Sequence, residues 1–258
     1  MKDKVYPKLF TQDIPKNTGR RFAISDIHGC GKTFIYLVEE ILKLTKDDQL
    51  FVLGDLIDRG KNAILLIDYI IEKQKEGYPI FVLIGNHEQM LLDNYHRDGN
   101  QTYQKVLKYD NLEGLANEDS EIKPKYVDFF ESMLFYIELE NCLLVHAGFD
   151  VNYEFVKIQN IFTDKEAMLW IRDFKGNLER TQQKPVVHGH VVHNLDQIKE
   201  SLELAKQKKA AVVPIDNGCA YVILGKEEKN NGEIGNLCAV EITEKTNTWK
   251  LFYTPFRE

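Results

Sequence analysis

The sequence predicts an α/β protein with both parallel and antiparallel strands. Short apolar runs rich in Val, Ile, Leu and Phe recur along the chain, and each ends in polar residues or glycine before it is long enough for a helix. Amphipathic stretches of helical period separate the first three runs, whereas later runs are joined by short polar turns. Together these observations indicate parallel strands linked by helices, followed by antiparallel hairpins.

The first half of the chain is predicted to form a βαβαβ unit. Helices are expected over residues 32–44 and 62–75, because apolar side chains such as Phe34, Leu37 and Leu42 recur on one helical face. Right-handed crossovers through these helices would place the strands in parallel. The buried strands predicted for the whole chain are residues 22–25, 50–53, 80–84, 142–145, 185–187 and 212–215.

The later part of the chain is predicted to be antiparallel. Residues 135–139 are expected to pair with residues 142–145 across the polar Glu140-Asn141 turn. A second group is predicted from residues 221–224, 237–242 and 249–253, with the polar loop 225–236 inside it. Residues 194–209 are predicted as an exposed helix with a lysine-rich end.

The domain organisation is predicted to be simple. No internal repeat, low-complexity tract or Pro/Gly/Ser linker divides the chain, so residues 1–258 are expected to form one domain. Residues 97–123 are polar and carry several turn-forming residues, which indicates an insertion. We expect this insertion to border the functional cleft.

Composition excludes several classes of partner. The formal net charge of -7 disfavours nucleic acid and anionic membranes, because the field of the protein repels a polyanion. The first ten residues have neither the apolar core of a signal peptide nor a membrane span, so we expect a cytoplasmic protein. The four cysteines lack CxxC spacing, which favours reduced, buried thiols.

Polar motifs directly follow the predicted strands. They are DIHG from Asp26, GDLIDRG from Gly54, GNHE from Gly85, HAG from His146, HGH from His188 and DNG from Asp216. Because the carboxyl ends of strands in an open α/β sheet meet at one crevice, these residues should gather in space. A mixture of carboxylates, imidazoles and one carboxamide suits Mn²⁺, Fe²⁺ or Zn²⁺ and is too rich in nitrogen for Ca²⁺.

The ordered set DIHG, GDLIDRG, GNHE, HAG and GH resembles the phosphoprotein phosphatase family of the calcineurin-like metallophosphoesterases. Within that family the bacterial and phage-type serine/threonine protein phosphatases are the most similar branch, and the resemblance covers residues 23–218. It implies the metallophosphatase fold, a four-layer sandwich of two mixed β-sheets flanked by helices. It also implies hydrolysis of phosphomonoesters on phosphorylated proteins or peptides, or on small phosphoesters. Separately from the resemblance, we expect a monomer.

The resemblance implies a centre of two divalent metal ions, expected to be Mn²⁺ with Fe or Zn as alternatives. The implied ligands are Asp26 and His28 for the first ion, Asp55 as the bridge, and Asn86, His146 and His190 for the second. A hydroxide shared by the two ions would then attack phosphorus in line, without a covalent phosphoenzyme.

The same resemblance assigns the remaining site residues. His87 corresponds to the general acid that protonates the leaving alkoxide, and Asp58 to the carboxylate that orients it. The implied phosphate-binding residues are Arg59, Arg172 and Asn86. Glu88 is expected to be a structural hydrogen-bond anchor, and His188 either supports the ligands or only packs.

Three alternatives stay open. Diadenosine tetraphosphate hydrolases share the metal ligands, but they usually replace the residues that stand here as Asp58 and Glu88. A P-loop nucleotide binder is suggested by residues 29–33, GCGKT, although Asp26 stands where that pattern needs glycine. A metal-dependent scaffold without catalytic activity is the third. The loop after His190 reads VVH instead of the family's usual T-P, so substrate preference cannot be borrowed from the eukaryotic enzymes.

Overall fold

The computed structural model describes residues 11–97, 107–108, 112–119, 121–151, 158–226 and 233–258. Its strands are β1 Arg21–Ile24, β2 Gln49–Val52, β3 Ile80–Val82, β4 Tyr136–Glu138, β5 Leu143–Val145, β6 Val186–His188, β7 Val212–Pro214, β8 Asn236–Glu241 and β9 Lys250–Pro255. The helices used below are α1 Gly31–Tyr36, α2 Ala63–Lys75, α3 Asn86–Arg97, α4 Pro124–Glu131, α5 Lys165–Trp170 and α6 Leu195–Lys206. Six of these strands overlap the six predicted buried runs.

Two mixed sheets form the centre of the described structure. The first has the order β3-β2-β1-β8-β9, in which β1, β2 and β3 are parallel and β8 and β9 are antiparallel additions. The second has the order β4-β5-β6-β7, with only β4 antiparallel to its neighbour. The predicted α/β class with two mixed sheets flanked by helices is therefore confirmed.

Successive side chains of β1 and β2 point to opposite faces of the sheet and pack into two different hydrophobic clusters. Ala23 of β1 and Phe51 of β2 belong to a cluster that also contains Leu144 and Val187 of the second sheet, so this cluster fills the space between the sheets. The neighbouring residues of β1 and β2 lie in the other cluster, together with the buried faces of α1 and α2. Both faces of these central strands are buried, which explains their continuous apolar sequence.

The segment 221–224 was predicted as a strand, and this prediction is wrong. A short 3-10 helix, Cys219–Tyr221, follows Gly218, whose φ of 73° turns the chain sharply. Ile223 and Leu224 then donate backbone hydrogen bonds to Ala220 and Tyr221, so their donors are used locally and not in a sheet. The side chains of Ile223 and Leu224 are exposed.

Two other predictions, the helix over 32–44 and the insertion over 97–123, are described only in part or differ in part from the structure. The helix predicted over 32–44 begins at Gly31 but becomes a π-helix over Leu37–Leu42, which ends at the left-handed Lys43. Within the predicted insertion 97–123, residues 98–106, 109–111 and 120 lie outside the described residues. Of the part that is described, Gly114 lies against Ile64 of α2, and Ala116 forms a bridge with Ile122.

The four cysteines are buried and free, as expected for reduced thiols. Among the helices that the structure describes, we find none with the length and apolar character needed to cross a membrane.

Candidate metal centre

The carboxyl ends of β1, β2, β3, β5 and β6 converge, and the predicted ligands meet there. The residues that follow these strands are Asp26 and His28 after β1, Asp55 after β2, Asn86 and His87 at the start of α3, His146 after β5 and His190 after β6. His87 and His190 keep part of their surface accessible, whereas the other members of this set are buried. Residues separated by up to 164 positions are thus in direct contact.

One candidate ion-binding group consists of His28, Asp55 and His87. His28 Nε2 lies 3.4 Å from Asp55 Oδ2, and His87 Nε2 lies 3.9 Å from the same oxygen. The other ring nitrogen of His28, Nδ1, is 3.0 Å from the carbonyl oxygen of Ile57. This hydrogen bond places the proton on Nδ1 and leaves the Nε2 lone pair directed at the centre.

A second candidate group consists of Asp55, His146 and His190. His146 Nδ1 is held 2.9 Å from the carbonyl oxygen of Leu53, which again leaves the Nε2 lone pair free. That nitrogen lies 2.9 Å from Asn86 Oδ1, 3.2 Å from His190 Nδ1 and 3.7 Å from Asp55 Oδ2. Among the described residues, Asp55 is the member that both groups share.

Asp26 lies between the two sheets at the edge of this centre. Its two carboxylate oxygens accept hydrogen bonds from the backbone N–H of His190, at 3.0 and 3.1 Å, and Oδ2 lies 4.0 Å from His28 Nε2. Burial, together with the nearby carboxylates of Asp216 and Asp55, raises the pKa of Asp26 well above its ordinary value. A nearby cation would reverse this effect and stabilise the carboxylate.

Sharp turns at the strand ends aim these side chains at one point. His28, Asp55 and His190 all have left-handed backbone conformations, with φ of 47°, 49° and 64°. Two glycines provide the necessary space: a Cβ on Gly85 would lie 2.1 Å from Asp55 Oδ1, and a Cβ on Gly189 would lie 2.1 Å from Asp26 Oδ1. The glycines of GNHE and HGH are therefore required by the carboxylates that pack against them.

The residues present fit a pair of divalent ions. Burial lowers the pKa of His28 and of His190 to about 3, and burial also lowers the pKa of His146, so all three rings are neutral and offer lone pairs at neutral pH. Burial opposes ionisation of Asp55, but the neighbouring imidazoles, of which His87 keeps its proton, and the backbone N–H of His87 lower the pKa of this carboxyl overall. Buried acceptor atoms that face one another repel, and divalent cations between them would remove this repulsion.

His87 and Asp58 form a hydrogen-bonded pair at the rim of the centre, through His87 Nδ1 and Asp58 Oδ2. Burial alone would lower the pKa of His87, but the hydrogen bond from this ring to Asp58 and the charge of Asp55 raise it overall. The His87 side chain remains 18% exposed, so the imidazole can reach a bound molecule. The pair thus holds a proton donor beside the candidate metal centre.

The predicted phosphate-binding residues occupy different positions around the centre. Arg59 follows Asp58 in the left-handed conformation, with φ of 68°, and its charge favours the neutral form of His28 and the ionised form of Asp216. Arg172, after α5, is exposed and lines a cavity of about 340 Å³ together with His190. Asn86 lies inside the centre, with its Oδ1 2.9 Å from His146 Nε2.

The structure also shows the surroundings of two further residues near the centre, Asp216 and His188. Asp216, which follows β7, is buried and was not assigned a role; burial raises its pKa to about 6, and it accepts a hydrogen bond from Gly218 N–H at 2.8 Å. The signal in the sequence that could have identified Asp216 as a site residue was its position directly after a predicted strand. His188 lies within β6, packs edge-on against Phe174 and bonds Gly189, and it belongs to neither ion-binding group.

A protein-family comparison agrees with this geometry. The model of the calcineurin-like phosphoesterases matches residues 20–225, which includes every predicted metal ligand. The chain belongs to the calcineurin-like phosphoesterase family. Members of this phosphoesterase family use divalent metals, and the donor set described above provides for them.

Curated proteins similar to this chain include symmetrical bis(5'-nucleosyl)-tetraphosphatases. Symmetrical bis(5'-nucleosyl)-tetraphosphatase of Buchnera aphidicola (subsp. Schizaphis graminum) is 29% identical over 144 residues, covering 47% of this chain and 51% of the relative. The Nitrosomonas europaea protein of that name is 25% identical over 152 residues, covering 57% of this chain and 52% of the relative. This phosphoesterase chain spans about half the length of the curated relatives it matches.

Solved structures with the same fold have more varied names. A protein serine/threonine phosphatase of Saccharomyces cerevisiae has a TM-score of 0.58 at 14% identity, covering 93% of this chain and 80% of that one. A cold-active protein-tyrosine phosphatase of a Shewanella species has a TM-score of 0.54 at 16% identity, covering 98% and 83%. These similarities establish the fold of the phosphoesterase and leave its substrate open.

Glu88 of this phosphoesterase supports the metal centre from behind. Its carboxylate is fully buried and accepts hydrogen bonds from the backbone N–H groups of Asp55, Leu56, Ile57 and Gly85, at 2.8 to 3.1 Å. Burial raises the pKa of Glu88 to about 7, although the backbone N–H donors of Ile57 and Leu56 act in the opposite direction. The expected anchoring position of Glu88 is therefore observed.

We expect Glu88→Gln to lower the free energy of unfolding by about 2–4 kcal/mol, because an amide nitrogen would face buried N–H donors and leave them unpaired. Urea unfolding followed by circular dichroism measures this change. The matched control is Glu72→Gln on the exposed side of α2, which should change the free energy of unfolding by less than about 0.5 kcal/mol. Equal stability of the two variants would contradict the anchoring role.

Proposed function

We propose that this phosphoesterase hydrolyses phosphomonoesters and that its substrates are proteins phosphorylated on serine or threonine. The observation that carries the proposal is the hydrogen-bonded pair of His87 and Asp58 beside the metal centre. A serine or threonine alkoxide is a strong base, so its departure from phosphorus needs a proton at the moment of bond cleavage. A positioned acid next to the ions suits such a leaving group.

The direction of the pKa shift fits the role of His87 as an acid. Its pKa is raised in the folded chain, so the ring keeps its proton at a pH where an isolated histidine has lost it. His87 Nε2 faces the centre, 3.9 Å from Asp55 Oδ2, while Nδ1 is occupied by Asp58. The free nitrogen is therefore the one that would donate to the leaving oxygen.

The remaining residues hold the reactants. Asp26, His28, Asp55, Asn86, His146 and His190 would hold the two ions, for which we propose Mn²⁺. Two bound ions would supply an activated water and charge that stabilises the phosphoryl oxygens. Arg59 and Arg172, from different loops, would bind the phosphoryl oxygens and orient the ester for in-line attack. The net charge of -7 and this local cationic site together favour phosphoprotein over nucleic-acid substrates.

Dinucleoside tetraphosphate hydrolysis is the second candidate, because the curated relatives are named as symmetrical bis(5'-nucleosyl)-tetraphosphatases. Cleavage of a phosphoanhydride expels a nucleotide phosphate, which is a much weaker base than an alkoxide. That reaction gains little from a protonated histidine. The hydrogen-bonded pair of His87 and Asp58 is the reason for ranking the phosphoprotein reaction first.

A direct comparison of substrates tests the order of the two candidates. With Mn²⁺ present, we expect kcat/KM for a phosphoserine peptide to exceed that for diadenosine tetraphosphate at least tenfold, a difference of about 1.4 kcal/mol in transition-state stabilisation. Release of inorganic phosphate and of ADP measures the two reactions. A tenfold preference for the dinucleotide would reverse the order, and loss of both activities with a chelator is the control for metal dependence.

A further inference from the structure

The chain segment after β9 returns to the metal centre and bonds two of its loops. Glu258 Oε1 accepts hydrogen bonds from the backbone N–H of Thr33 at 3.1 Å and from the Thr33 hydroxyl at 3.2 Å. Glu258 Oε2 accepts a hydrogen bond from the side-chain amide of Asn62. One carboxylate thus joins the start of α1 to the residue that precedes α2.

The two loops joined by Glu258 carry residues of the candidate site. The loop before α1 contains His28, and the loop before α2 contains Asp58. Hydrogen bonds connect them directly, from Gly60 N to the His28 carbonyl oxygen at 2.9 Å and from Asn62 N to the Gly29 carbonyl oxygen at 3.0 Å. A displacement of either loop would therefore move a proposed metal ligand relative to the carboxylate that orients His87.

The segment that carries Glu258 is itself held in place. The guanidinium carbon of Arg257 lies 3.8 Å from the centre of the Tyr36 ring, and Arg257 Nε donates to the Thr254 hydroxyl at 2.9 Å. The backbone N–H of Arg257 also donates to the Thr33 hydroxyl at 3.0 Å. Since Thr33 is fully buried, its amide and hydroxyl depend on these partners from residues 257 and 258.

These contacts explain the GCGKT sequence of residues 29–33, which resembles part of a P-loop. In a P-loop, the residue equivalent to Thr33 binds the metal ion that accompanies the nucleotide. Here Thr33 donates hydrogen bonds to the Glu258 carboxylate of the same chain. Gly31 lies against the second loop, because a Cβ at this position would lie 2.5 Å from the Asn62 carbonyl oxygen. The motif therefore serves to pack two loops together.

We propose that Glu258 is a positioning residue of the metal centre. Its carboxylate keeps the loops of His28 and Asp58 in register, and it touches neither substrate nor ions. The activity part of this inference rests on the proposed phosphoesterase reaction, whereas its effect on ion binding does not. Supporting partners of metal ligands typically change ion affinity or activity by about 10- to 100-fold when removed.

The test compares Glu258→Ala with Glu258→Gln and with Glu72→Ala, an exposed glutamate of α2 as the matched control. We expect Glu258→Ala to lower kcat for p-nitrophenyl phosphate by about tenfold with KM changed less than about twofold. Its affinity for Mn²⁺, measured by isothermal titration calorimetry, should weaken by a similar factor. Glu258→Gln retains an acceptor for Thr33, and its amide N–H can donate to Asn62 Oδ1 once the Asn62 amide rotates, so this variant should recover most of both losses. Glu72→Ala should match the unmodified protein.

A purely structural role gives a different result. If Glu258→Ala lowers the melting temperature but leaves kcat and Mn²⁺ affinity within about twofold of the unmodified protein, the positioning role is wrong. Should that variant not fold, Asn62→Ala breaks the other half of the contact and must show the same loss of kcat and Mn²⁺ affinity; unchanged values would equally overturn the inference. If the unmodified protein cleaves no phosphoester, the proposed function fails, and the Mn²⁺ titrations still decide the role of Glu258.

Discussion

Asp55→Asn is expected to lower kcat/KM for p-nitrophenyl phosphate by about 10³-fold or more. Among the described residues, Asp55 is common to both candidate ion-binding groups, and its Oδ2 lies 3.4 Å from His28 Nε2 and 3.7 Å from His146 Nε2. An asparagine keeps the shape but removes the negative charge that balances two cations. Losing several kcal/mol of charge stabilisation corresponds to this factor, since each 1.36 kcal/mol is tenfold in rate.

The same variant should bind fewer ions. Metal content measured by mass spectrometry after incubation with Mn²⁺ and desalting is expected to fall from two ions per chain to one or none. Asp196→Asn is the matched control, because this aspartate is 91% exposed on α6 and should leave both metal content and rate unchanged. Two retained ions with a rate within fivefold of the unmodified protein would contradict the bridging role of Asp55.

His87→Asn is the second change with a large expected effect. We expect kcat for a phosphoserine peptide to fall by about 10²- to 10⁴-fold, which is the usual contribution of a general acid. The loss for p-nitrophenyl phosphate should be much smaller, because p-nitrophenolate is a weak base and departs without a proton. Rates for the two substrates, measured on the same preparation, provide the comparison and its internal control.

The number of bound ions distinguishes a general acid from a metal ligand at position 87. His87 Nε2 lies close enough to Asp55 and His28 to be a ligand itself. If His87→Asn retains two Mn²⁺ ions and loses rate only for the peptide, His87 acts as the acid. Loss of an ion, or equal losses for both substrates, would show that the ring binds metal or positions another group.

The order of strands and helices could be predicted because local sequence and burial agree in this part of the fold. β1 and β2 are buried on both faces, and β3 is buried at Ile80 and Val82 with Phe81 half-buried, so their apolar runs stand out between amphipathic helices. The error over 221–224 has a local cause: an apolar run there forms turns after the left-handed Gly218. Apolar composition alone could not separate a strand from such a turn.

The candidate site could be predicted because its ligands follow the strands and carry recognisable spacing. What could not be predicted are contacts without such a pattern. Glu258 meets Thr33 across 225 residues, and although Thr33 belongs to the GCGKT motif, nothing in that motif points to Glu258 as its partner. Asp216 does follow a strand, but only the structure shows that its charge raises the pKa of Asp26.

Anomalous diffraction from crystals grown with Mn²⁺ tests the central claim most directly. We expect two manganese peaks on either side of Asp55, one next to His28 and the other next to His146 and His190. A bridging position of the Asp55 carboxylate between the two peaks would agree with its contacts to all three histidines. Crystals with saturating Mn²⁺ that show no peak beside Asp55, or a single peak outside this group, would contradict the proposed two-ion centre.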